Sequence, residues 1–203
     1  MKQEQVLDLF KQSGAMLEGH FLLSSGRHSD RYFQCALLLA HPKLAESMAR
    51  ALAAKLPQNV DLVIGPAMGA VTWAYEVGRA LDKRAFFTER AGAGKEAPME
   101  LRRGFKIQPG ERVLIVEDVL TTGGSAREVV AVVKAQGGVP VGIASIVNRS
   151  GQKNPFEADG IAYTCLAEVK VESWEASGCP LCASKTAGPA IKPGSRPGAS
   201  QPA

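Results

Sequence analysis

Apolar residues in this chain change period repeatedly, from helical spacing to short continuous runs and back. Residues 2–13 carry apolar side chains at Val6, Leu9 and Phe10, the spacing of a helix with one buried face. Residues 17–33 hold two extended runs around a Ser25-Gly26 turn, which predicts a hairpin standing as a small hood within about 14–36. Pro42 opens a helix that runs to about Leu56, as proline in a first helical turn favours. A buried strand follows at 60–65, then a tight Gly65-Pro-Ala-Met-Gly-Ala70 loop into a helix ending near Leu81, then a short strand at 83–87 with Phe86 and Phe87 in its core.

Periodicity disappears from Thr88 to about Lys106. A stretch this long without pattern inside one domain predicts a functional lid or a disordered loop. Val113-Leu-Ile-Val116 then reads as a strand buried on both faces, 126–134 as a helix, 139–147 and 161–167 as further strands. Strands alternating with helices predict an α/β fold, a central mainly parallel sheet flanked by helices. Residues 1–184 are read as a single domain. The Gly/Pro/Ser/Ala-rich segment 185–203 lacks apolar content to pack and is expected to be a disordered tail.

The strand at 113–116 runs into Glu117 and Asp118, then into Thr121-Thr122-Gly123-Gly124-Ser125 and a helix. Ligands of open α/β sheets sit beyond the carboxyl ends of strands, so these residues stand where a ligand belongs. Backbone N–H groups of a glycine-rich loop opening a helix form an anion site. Adjacent carboxylates suit ribose hydroxyls or a metal, and a phosphorylated sugar satisfies both halves. Other phosphate motifs fail: no Gly-x-Gly-x-x-Gly follows a strand, and Gly92-Ala-Gly-Lys95 continues with Glu96, not Ser or Thr.

With 203 residues, 45% hydrophobic and 22% charged, the chain has the composition of a soluble globular domain. No apolar run reaches membrane-spanning length and no apolar leader opens the chain, so a cytoplasmic protein without membrane contact is expected. A net charge of +4 suits an anionic substrate and is too small and dispersed to argue for nucleic acid. The four cysteines form no secreted framework. Cys179-Pro-Leu-Cys182 has the spacing of half a zinc site, but the chain holds no second cysteine pair. An unmetallated, redox-inert pair is expected, with a site shared across subunits as the alternative. For His20 and His28, in the hood, a turn or solvent role stands beside a catalytic one.

The order of strand, acidic pair, Thr-Thr-Gly-Gly-Ser and helix resembles the 5-phosphoribosyl-1-pyrophosphate (PRPP) signature of type I phosphoribosyltransferases. Further segments are similar to the orotate branch of that family: Gly19 to Phe33 in the hood, Gly65-Pro-Ala, Leu101-Arg-Arg-Gly-Phe105, Pro109-Gly-Glu-Arg-Val113 and Val147-Asn-Arg149-Ser-Gly. The resemblance implies the type I phosphoribosyltransferase fold and transfer of ribose 5-phosphate from PRPP to orotate in pyrimidine biosynthesis. It places Glu117 and Asp118 on the ribose, and Val119, Leu120, Thr121, Thr122, Gly123, Gly124 and Ser125 around the 5-phosphate. Arg90 and the lid's Lys95 fall on the pyrophosphate, with Lys95 catalytic beside Asp118 and Glu117. Thr121, Arg149 and Phe33 fall on orotate, Phe33 by stacking. It also implies Mg²⁺ held mainly through substrate oxygens, with no firm protein ligand, and a homodimer whose lids serve the neighbouring site. The chain departs from many orotate enzymes at Met68-Gly69 and Ser24, where they carry lysines, and in lacking a lid histidine. A phosphoribosyltransferase for another base, and a PRPP-binding regulator of the same fold, are the alternatives.

Overall fold

The computed structural model describes residues 1–23, 25–92, 97–184 and 186–193. In chain order the elements are α1 (Gln3–Gln12), β1 (Met16–Leu22), β2 (His28–Phe33), α2 (Cys35–Leu39), α3 (Pro42–Ala53), β3 (Leu62–Pro66), α4 (Ala70–Leu81), β4 (Arg84–Arg90), β5 (Met99–Leu101), β6 (Arg112–Leu120), α5 (Gly124–Ala135), β7 (Val139–Asn148), β8 (Tyr163–Glu168), β9 (Ser173–Trp174) and α6 (Pro180–Ala183).

A six-stranded sheet ordered β5-β4-β3-β6-β7-β8 forms the centre, parallel throughout except for the β4–β5 pair. The continuous apolar runs of β3 and β6 are what a strand covered on both faces needs. Because successive side chains point to opposite faces, each run divides between two cores. Val63, Leu114 and Val116 join Trp73, Ala74, Val77 and Met48 of α3 and α4 on one side. Leu62, Ile64, Val113 and Ile115 join Ala126, Val129 and Val133 of α5 on the other. This is the α/β architecture that the alternating pattern predicts.

Strand order fixes the ligand position. The chain moves outward from β3 to β4 and β5, then returns to β6 beside β3 and moves outward the other way. The loops after β3 and β6 therefore leave in opposite directions and open a crevice at the sheet's carboxyl edge.

The hood is a separate three-stranded antiparallel sheet, β1-β2-β9, closed by a strand from far along the chain. Arg27 in its turn donates to Ser173 Oγ at 2.9 Å and pairs with Glu175.

One sequence expectation changes. The stretch 88–106 is not without structure among its described residues: β5 pairs antiparallel with β4, Arg90 opposite Met99. Three residues on a sheet edge are too few to show alternation. They are held by Phe105, whose ring stacks on Phe86 at 4.5 Å, and by the Arg103–Glu89 ion pair. Of the segment expected to be a disordered tail, residues 186–193 are described. Ile191 donates its N–H to His20 O and accepts from Leu22 N–H, each at 2.8 Å, so main-chain pairing replaces the missing apolar contacts.

Candidate active site

β6 delivers Glu117 and Asp118 half-buried to the crevice. Asp118 Oδ1 accepts the Val119 N–H at 2.8 Å, which fixes the carboxylate across the strand end. The loop after β3 presses on it: a Cβ at Gly69 would lie 2.6 Å from Asp118 Oδ2. Glycine here is a close-approach residue, and any side chain at this position would press on the acid. Neither acid has a cationic partner within salt-bridge distance among the described residues. Burial, with the charges of Asp118 and Glu128 nearby, raises the Glu117 pKa to about 8. Burial also raises Asp118, with its backbone hydrogen bonds opposing. Beneath them, burial and the Asp118 charge hold the Cys35 thiol protonated. The pair is thus held where positive charge is missing.

The following loop closes on itself. Glu117 and residues 119–125 line one small hollow of about 60 Å³, the same run assigned to the ribose phosphate from sequence. Gly123 has φ +77° and leaves no room for a side chain, since a Cβ would meet Phe156 at 2.8 Å. Arg127 braces the loop, donating to Thr122 O at 3.0 Å and to Pro155 O at 2.6 Å while lying over the Phe156 ring. α5 begins at Gly124, so its first backbone N–H groups, which no helical turn satisfies, face this hollow.

β6 and β7 end in register, Leu120 opposite Asn148, so Thr121 and Arg149 leave the sheet side by side. The Arg149 N–H donates to Leu120 O at 2.8 Å. Its guanidinium is largely withdrawn from water, which lowers its pKa, and its Nε is buried without a hydrogen-bond partner. Among the described residues no carboxylate pairs with this guanidinium, which leaves it able to receive one.

Phe33 is placed differently from its expected stacking role. Its ring is 4% exposed, packs edge-on against Phe10 at 5.3 Å, and carries Arg149 over its face at 5.8 Å. It supports the arginine and offers no open face to a base.

Arg90, at the end of β4, donates to Glu128 of α5 at 2.6 and 3.0 Å and to Ala97 O at 2.6 Å. Glu128 had no signal in the sequence beyond its helical position; only the fold brings it to Arg90. Lys95 lies outside the described residues, as does Ser24.

A carboxylate pair, a glycine-rich loop hollow and a desolvated arginine are thus gathered at one edge of the sheet. Residues 36–179 match the phosphoribosyl transferase domain, and the chain belongs to the phosphoribosyltransferase family. Within it, the chain is 52% identical over 199 residues to an orotate phosphoribosyltransferase of Heliobacterium modesticaldum, covering 97% of this chain and all of that one. It is 48% identical over 197 residues to that of Desulforamulus reducens, covering 97% and 98%. The crystal structure of orotate phosphoribosyltransferase from Aeropyrum pernix superposes with a TM-score of 0.69 at 26% identity, over 81% of this chain and 93% of that one. These relatives put the chain in the orotate branch.

Proposed function

We infer that the chain transfers ribose 5-phosphate from PRPP to N1 of orotate, giving orotidine 5'-monophosphate and pyrophosphate in pyrimidine biosynthesis. The observation that carries the choice of acceptor is Arg149, desolvated and unpaired at Nε, beside Thr121 at the rim of the phosphate hollow. A carboxylated base satisfies it; a neutral base leaves it a buried charge.

The C1–O bond to pyrophosphate breaks, the C1–N1 bond forms, and the N1 proton passes to the departing pyrophosphate or to solvent. Positive charge builds on the ribose during the transfer, and the protein helps by position and field, not by a covalent intermediate. Residues 121–125 hold the 5-phosphate through backbone N–H groups. Glu117 and Asp118 accept the ribose hydroxyls and face the growing charge; their elevated affinity for protons makes them respond to any cation that arrives. When bound with the diphosphate, Mg²⁺ supplies neutralisation of the leaving oxygens. Substrate oxygens would hold it mainly, and Glu117 and Asp118 would be the hard oxygen donors of the protein to face it. Arg90 exchanges Glu128 for the pyrophosphate, and Lys95 joins it from the lid, which closes to keep water from C1.

The reading includes a homodimer in the cytoplasm, with each lid serving the neighbouring site. Support for association comes from Met68 and Tyr75, 82% and 63% exposed on the loop and helix that follow β3. No described helix is long and apolar enough to cross a membrane.

The test is loss of orotate absorbance with PRPP and Mg²⁺, with uracil and purine bases run in parallel. Orotate should be consumed and the neutral bases left. Consumption of a neutral base in place of orotate overturns the assignment.

A further inference from the structure

Away from the crevice, the hood and the C-terminal segment bring together four side chains that the reaction does not use. His20 lies on β1 and His28 on β2, diagonal neighbours on one face of the hairpin because His28 pairs with Leu22. Both are buried, at 5% and 9% exposure, which corrects the solvent role considered from sequence. Cys179 and Cys182 flank and enter α6, the pair whose missing partners made it look inert. The ligand atoms of all four lie within 4.8 Å of one another. His20 Nε2 is 2.9 Å from His28 Nδ1 and 3.6 Å from each sulfur, and Cys182 Sγ is 3.2 Å from His28 Nδ1.

We propose that His20, His28, Cys179 and Cys182 form a structural zinc site that fastens the C-terminal segment to the hood. Zinc bonds of 2.3 Å to sulfur and about 2.05 Å to nitrogen, in a tetrahedron, place N–S pairs about 3.5 Å apart and an N–N pair about 3.3 Å apart. The four separations given need adjustments of a few tenths of an ångström, and the other two pairs, both of Cys179, lie within 4.8 Å and close the tetrahedron by moving that sulfur inward. Two thiolates and two neutral imidazoles around Zn²⁺ give a centre of zero net charge, suited to its partly buried position. The two thiol protons leave to solvent as the ion binds.

The second shell agrees. His20 Nδ1 lies 2.9 Å from Gly188 O, and as a donor to that carbonyl the ring presents the Nε2 lone pair to the cluster. With four protein ligands no position is left open for a substrate, so the role is structural and not catalytic. Three of the four ligands fall outside residues 36–179, the stretch shared with the wider family, so the site belongs to the hood and C-terminal segment. Two sulfurs and two imidazoles in tetrahedral array select zinc over harder cations.

The full-length chain, purified under reducing conditions, should carry about one zinc by elemental analysis. After chelator stripping, added Co²⁺ should give the visible d–d bands of tetrahedral, thiolate-bound cobalt. Cys182→Ser should abolish those bands, and Cys165→Ser should keep them. If the purified chain holds no zinc and the stripped chain gives no such bands, the site does not exist. A Cys179–Cys182 disulfide found by mass spectrometry in freshly alkylated cells overturns it in favour of a redox pair. The wild-type readouts stand even if Cys182→Ser fails to fold.

Discussion

Replacing Glu117 by glutamine should make the unliganded protein more stable while removing activity. In the fold the Glu117 carboxyl holds its proton to about pH 8, because burial and the charges of Asp118 and Glu128 oppose ionisation. In the unfolded chain it ionises near pH 4.5. A raised pKa means the native state is favoured fully below pH 4.5, and the advantage is lost as pH rises through 8. At 1.36 kcal/mol per unit, a rise from 4.5 to about 8 sets a ceiling of about 5 kcal/mol. The carboxyl is half-buried and water reaches one side, so about 2 kcal/mol is expected, or roughly 4–8 °C in Tm for a chain of this size. Thermal unfolding of wild type and Glu117→Gln, followed by circular dichroism from pH 5 to pH 9, reads this directly. The two curves should nearly coincide at pH 5 and separate with glutamine higher as pH rises. A difference independent of pH, or a wild type that gains on the variant at pH 9, refutes the assignment of strain to this carboxylate.

Arg149→Ala should lower kcat/KM for orotate by roughly 30-fold or more, the scale of losing one partner of a desolvated charge pair, while KM for PRPP moves little. Equal losses toward both substrates in steady-state kinetics contradict its role as carboxylate receptor. Gly69→Ala should push Asp118 aside and cut kcat with the fold retained; unchanged kinetics remove the close approach from the argument. Arg90→Ala should raise KM for PRPP and leave orotate binding alone, measured by titration of each ligand. Chelator treatment should lower Tm in a manner that added Zn²⁺ restores; an unchanged melting curve counts against the C-terminal clasp.

Much of the hollow after β6 was readable because its geometry is local. Residues 117–125 are contiguous, so strand, acids, glycines and helix reveal the hollow without a tertiary contact. Arg149 was readable for a similar reason, standing one residue beyond a recognisable strand. The Arg90–Glu128 pair and the His20–His28–Cys179–Cys182 cluster were not, because each joins residues that only the fold makes neighbours. Phe33 misled in another way: an aromatic in the hood looks available to a base, and only packing shows its ring covered by Phe10 and Arg149. β5 escaped because three edge residues carry no period.

The hood's late closure sets the order in which the molecule can be built on the ribosome. β3 to β8 are complete within one continuous stretch, and the phosphate hollow needs nothing beyond it. The hood, made of residues 16–33, waits for Ser173 to pair with Ser29 and for Ile191 to pair beside Phe21, contacts spanning more than 140 positions. Such closures are slow because a long loop must be ordered before any contact rewards it. A nascent chain therefore completes the glycine-rich loop and its hollow first and the three-stranded hood sheet last. Chains that stop short of Ser173 should keep the hollow yet leave the hood's strands with an open, unpaired edge, the form most exposed to aggregation.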